Sequence, residues 1–78
     1  MLFSRSTPEQ KRQSLVSKQL AAQFELTDKH VGTWVTVSGD DVLITLPFAA
    51  ATVHDALTAH IKKAAHEENL PIQNIVIE

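Results

Sequence analysis

Four histidines, His30, His54, His60 and His66, are the residues of this 78-residue chain best suited to hold a metal or move a proton. Their spacing argues against a shared ion. His54, His60 and His66 stand six apart, and each step of six turns a helix by about 240°, whereas helical metal ligands recur at i, i+3 or i+4. His60 falls beside Leu57 and Ala64 and is expected to be partly buried. His30 and His66 read as surface residues. His54 with Asp55 falls in the first turn of a helix, where an acidic side chain suits the helix dipole. With no cysteine in the chain, thiolate metal sites, disulfides and a cysteine nucleophile are all excluded. Ser14, Ser17 and Ser38 have no neighbouring base or elbow motif, and the two glycines form no phosphate loop. Asp40-Asp41 sits in "SGDD", which is turn chemistry. No residue set spells out a reaction, so the expectation is a protein that is not an enzyme and carries neither cofactor nor metal.

These residues must be positioned by a small frame. At 44% hydrophobic and 21% charged, the chain has the composition of one globular domain with a single core, spanning residues 1–78. Its net charge of −2 argues against nucleic acid as a partner. Arg5, Lys11, Arg12 and Lys18 are scattered among glutamine and Glu9 and read as a solvated face. The start, "MLFSRSTPEQKRQ", has no apolar signal core and no run is long enough for a membrane span, which makes a cytoplasmic location the expectation.

"STPEQKRQSLVSKQLAAQFEL" opens with a helix start: Thr7 as cap, Pro8 at the first helical position and Gln10 completing a capping box. Val16, Leu20 and Phe24, with Leu15 and Ala21, give one apolar stripe over about residues 8–25. "VGTWVTVSGDDVLITLPF" reads as a β-hairpin, with strands at 31–38 and 42–46 and a turn at "SGDD". Val35 and Val37 share one face, as do Val42, Ile44 and Leu46; Pro47 ends the ladder because it has no N–H to donate. "TVHDALTAHIKKAAHEENL" is a second helix, capped by Thr52 with Asp55, whose stripe is Val53, Ala56, Leu57, Ile61 and Ala64. "IQNIVIE" is a last strand with Ile75 and Ile77 on one face and Val76 on the other.

The order α-β-β-α-β predicts an α+β two-layer sandwich, a three-stranded mixed sheet with both helices on one face. A right-handed crossover makes the last strand parallel to the second. Val35, Val37, Ile44, Leu46, Leu57, Ile61, Ile75 and Ile77 are the expected core.

At "GDDVLITLPFAAATVHDALTAHIKKAA" the chain resembles a known family. The hairpin whose second strand runs into a proline, the striped helix and the short "IVI" strand resemble the N-terminal domain of the Mrp/ApbC iron–sulfur carrier ATPases. These belong to the iron–sulfur cluster assembly (FSCA) domain-like superfamily. The first helix and "VGTWVTV" follow the same order, so the likeness covers most of the chain. It implies a non-catalytic accessory domain of iron–sulfur assembly that works through contact with a protein, such as a P-loop ATPase domain or an iron–sulfur carrier. The wider superfamily often has a cysteine in the loop after the second strand; "PFAAAT" offers none, and no ATPase domain follows within these residues. The chain is then either one domain of a longer protein or a stand-alone relative. The alternative is a stand-alone interaction or regulatory module unrelated to iron–sulfur assembly, as a monomer or weak homodimer.

For either role the expected contact residues are Pro47, Phe48, Thr52, His54 and Trp34. The alanines at 49–51 leave the second helix's first N–H groups uncrowded for an anion or a partner's carboxylate. Phe48 has two competing places: an anchor for a partner, or a plug in the core beneath the first helix.

Overall fold

The computed structural model describes residues 7–48 and 51–78. Its elements are α1 (Pro8–Phe24), α2 (Asp28–Gly32), β1 (Val35–Ser38), β2 (Asp41–Ile44), α3 (Ala51–Glu67) and β3 (Asn74–Ile77). The α-β-β-α-β order holds, with a five-residue helix added before the hairpin.

The start of α1 is the expected capping box. The Gln10 N–H donates to Thr7 Oγ1 at 3.1 Å, and the Thr7 N–H donates to Gln10 Oε1 at 2.9 Å. The helix ends at Glu25, which takes left-handed angles, and the Leu26 N–H returns to the Ala21 carbonyl. The added helix, α2, corrects the hairpin's first strand, which begins at Val35 rather than Val31. Thr27 accepts from the His30 N–H and starts a helical turn, and that turn buries Val31 completely. A local cap and one sealed side chain override the β-branched composition of the segment.

The sheet order is β1-β2-β3, with β1 antiparallel to β2 and β3 parallel to it. Val35 pairs with Ile44 and Val37 with Val42, while Val42 aligns with Ile75 and Ile44 with Ile77. The side chains facing the helices are therefore Val35, Val37, Val42, Ile44, Ile75 and Ile77; Thr36, Leu43 and Val76 stand on the opposite, open face. The ladder continues past the strands, with the Leu46 N–H on the Glu78 carbonyl, and stops at Pro47.

The expected core is largely in place. Val35, Ile44, Leu46, Leu57 and Ile61 are buried and Val37, Ile75 and Ile77 half-buried, joined by Leu15, Val16, Leu20, Ala21, Val31, Val42 and Ala65. The α3 stripe keeps Val53, Leu57, Ile61 and Ala64 and is corrected at Ala56, with Ala65 added. Ala56 is exposed and Ala65 sealed, because steps of four advance about 40° around a helix and carry the line Val53, Leu57, Ile61 onto Ala65. His60 falls on the flank of that line and is exposed, not partly buried; it lines a shallow cleft beside Gln19 and Gln23 of α1. Thr52 is not the cap it was expected to be. It stands inside α3, whose described span begins at Ala51, and Asp55 falls beyond the first turn. Alanine, the best helix former, lets the helix begin ahead of the threonine.

The solvated basic face also needs correction. Lys11 and Lys18 are exposed, Arg5 lies outside the described residues, and Arg12 is buried. Arg12 Nε donates to the Pro71 carbonyl at 2.9 Å and Nη1 to the Gly39 carbonyl at 3.1 Å. Its Nη2 lies 3.0 Å from Asp40 Oδ1. One guanidinium thus joins α1, the hairpin turn and the approach to β3. Glu9 supports it by accepting the Gly39 N–H at 2.8 Å. Gly39 has φ +61°, the left-handed angle a tight hairpin turn asks of glycine.

Candidate functional site

The end of the hairpin brings three aromatic rings together. Phe24 closes α1, Trp34 precedes β1, and Phe48 follows Pro47 after β2. Their positions follow from the ladder: the Thr45 N–H donates to the Trp34 carbonyl at 2.8 Å, which sets Trp34 beside the strand end that Pro47 terminates. Ring centroids of Phe24 and Phe48 lie 5.2 Å apart, those of Trp34 and Phe48 5.8 Å, and those of Phe24 and Trp34 6.3 Å. All three pairs meet edge to face, the arrangement the ring quadrupoles favour. His30 of α2 adds a fourth ring, 5.5 Å from Trp34 and edge-on to it.

The cluster is half uncovered. Phe24 and Trp34 are partly buried against the core, while Phe48 remains 44% exposed. Phe48 is therefore not a core plug, although it does touch the last residue of α1. Of the expected contact residues, the fold brings Trp34 and Phe48 together with exposed Pro47 beside them. Thr52, exposed, and His54, half-buried, lie in the first turn of α3 and do not belong to the ring cluster. Sequence reading passed over Phe24 and His30 as members. Phe24 ends the apolar stripe of its helix and so reads as core, and His30 sits on α2, a helix too short to show in the pattern of the sequence.

The expected docking place for an anion rests on residues 49–51. Positions 49 and 50 lie outside the described residues, as does the side chain of Ala51. No group of three His, Cys, Asp or Glu among the described residues is placed to hold a metal ion. No described helix is long and apolar enough to cross a membrane. What the cluster can do chemically is bury itself: three rigid aromatic side chains, with few rotamers to freeze, gathered at one end of the sheet.

No protein-family model, curated protein or solved structure matches this chain.

Proposed function

We propose that the domain acts through protein contact, as a non-catalytic accessory unit of iron–sulfur cluster assembly, with the Phe24–Trp34–Phe48 cluster as its contact surface. The observation that carries the contact is Phe48, a large apolar ring left 44% exposed on top of two other rings. Binding energy concentrates in such aromatic anchors. The assignment to iron–sulfur assembly rests on the resemblance: the α-β-β-α-β order and a second strand that runs into Pro47 are the features it turns on. Because the chain has no thiol, cluster ligands come from the partner, a P-loop ATPase domain or carrier. That missing thiolate also favours a second reading, a stand-alone interaction module unrelated to iron–sulfur chemistry, which would use the same rings.

Titrating isotope-labelled chain with a P-loop iron–sulfur carrier ATPase domain tests the proposal. The indole N–H of Trp34, the only tryptophan, and the backbone amide of Phe48 should shift on binding. Phe48→Ala should weaken the complex by about 30-fold, the effect of losing an anchor worth some 2 kcal/mol. Unmoved Trp34 and Phe48 signals at saturating ATPase would leave only the second reading.

A further inference from the structure

We infer that two copies of this chain pair edge to edge through β3, making one continuous six-stranded sheet. β3 is an outer strand. Its inner side is spent on β2: the Glu78 N–H donates to the Ile44 carbonyl at 2.8 Å, and the Glu78 carbonyl accepts from Leu46 at 3.0 Å. Backbone groups alternate in direction along a strand, so those of Ile75 and Ile77 point outward from the sheet. No strand of the described chain pairs with that edge.

The edge strand itself carries neither the charge nor the proline that guards many sheet edges. From Pro71 to Ile77 there is no charged residue, and the strand itself is "NIVI". The opposite edge is different: α1 packs on β1 and sets Glu9 and Gln13 around Val37. On the β3 side, Ile72, Ile75 and Ile77 stay half-buried and Val76 is 49% exposed.

The strand is complementary to itself in one antiparallel register. Ile75 stands opposite Ile77 of the second copy, Val76 opposite Val76 on the two-fold axis, and Asn74 opposite Glu78. Every outward N–H and C=O of Ile75 and Ile77 then finds a partner, and the isoleucines of both copies stay on the helix-covered side. A shift of one residue would turn them to the open face. Placing Ile75 opposite itself calls on the Gln73 N–H, which already serves the Asp40 carbonyl at 2.9 Å. Placing Ile77 opposite itself sets the Glu78 carboxylate against Val76. In the favoured register no two like charges stand directly opposite each other. The Asn74 amide, with one N–H on Asp41 Oδ1, has a second for the Glu78 carboxylate across the axis. Such a two-fold interface closes on itself and stops at two copies.

The experiment uses the whole chain. Light scattering on a concentration series should show a mass rising to twice that of one chain, and Val76→Lys, which sets two cations together on the axis, should hold it at one. Val76→Cys supplies a thiol to a chain that has none, and a directly opposed pair in this register lies within disulfide reach. It should cross-link under mild oxidation far faster than Leu43→Cys, an exposed position on the same face but the central strand. Single-chain mass at every concentration overturns the inference and leaves the edge to an extended strand of another protein. A dimer indifferent to Val76→Lys, or equal cross-linking at both cysteines, overturns it too. Should Val76→Lys lose its circular dichroism signature of fold, the cysteine pair decides alone.

Discussion

A ring that is half uncovered contributes less to the fold than one sealed in it, and this separates Phe48 from Leu57. Phe48→Ala removes two edge-to-face contacts and a half-share of apolar burial, so urea unfolding should show a loss of about 1–2 kcal/mol. A loss of 3–5 kcal/mol would return Phe48 to the role of core plug. Leu57, 1% exposed in the core, should cost about 2–5 kcal/mol on truncation to alanine, and a change near zero there would mean that α3 is turned differently. Both residues were legible in the sequence, Leu57 from helical periodicity and Phe48 as one of two alternatives. Arg12 was not. A charged side chain on a helix reads as solvated because most are. Its partners lie 27 and 59 residues away along the chain, so only the finished topology brings them to it. No buried side-chain nitrogen or oxygen among the described residues is left unpartnered, which is how the fold tolerates that guanidinium.

Period-two alternation located the hairpin and the last strand, and the right-handed crossover rule oriented β3 against β2. The strands were readable because one face of the sheet is covered and the other open, which leaves an alternating trace in composition. The element that went unread, α2, is too short for periodicity to register. Its remaining trace is the cap Thr27 with Asp28 in the first turn. In α3 the apolar stripe drifts around the helix onto Ala65 and away from Ala56, and that drift can be measured. Ala56→Lys should leave stability within about 0.5 kcal/mol, as expected for an exposed helical site. Ala65→Lys forces a charge into a site 2% exposed and should cost about 3 kcal/mol or more, read by thermal or urea unfolding. Equal effects would show that the helix packs by the face first read from the sequence. The ring cluster spans elements distant in sequence: Phe24 ends α1, Trp34 and Phe48 flank the hairpin, and only His30 comes from α2.

At the scale of the whole molecule, seventy-eight residues bury little surface, and stability of roughly 0.05–0.15 kcal/mol per residue leaves a narrow margin. Long-range ties therefore weigh heavily, and Arg12 is the tie that spans most of the chain. α1 leans on β1, α2 and α3, while β3 hydrogen-bonds to β2 and packs Ile75 and Ile77 on the core; the guanidinium adds a direct link from α1 to the residue where the chain turns towards β3. Arg12→Met keeps the apolar stem and removes the charged donors, and should cost about 1.5–3 kcal/mol. In a domain of this size each kcal/mol lowers the melting temperature by about 4–8 °C. Asp40→Asn should cost less, within about 1 kcal/mol, because the carboxylate is 53% exposed and water screens its share of the pair. The ordering of the two variants carries the argument. If Asp40→Asn matched Arg12→Met, the ion pair alone would account for the tie. A clearly larger loss for Arg12→Met assigns it to the carbonyls of Gly39 and Pro71. These two backbone groups, one in the hairpin turn and one at the approach to β3, are held by one side chain that water barely reaches.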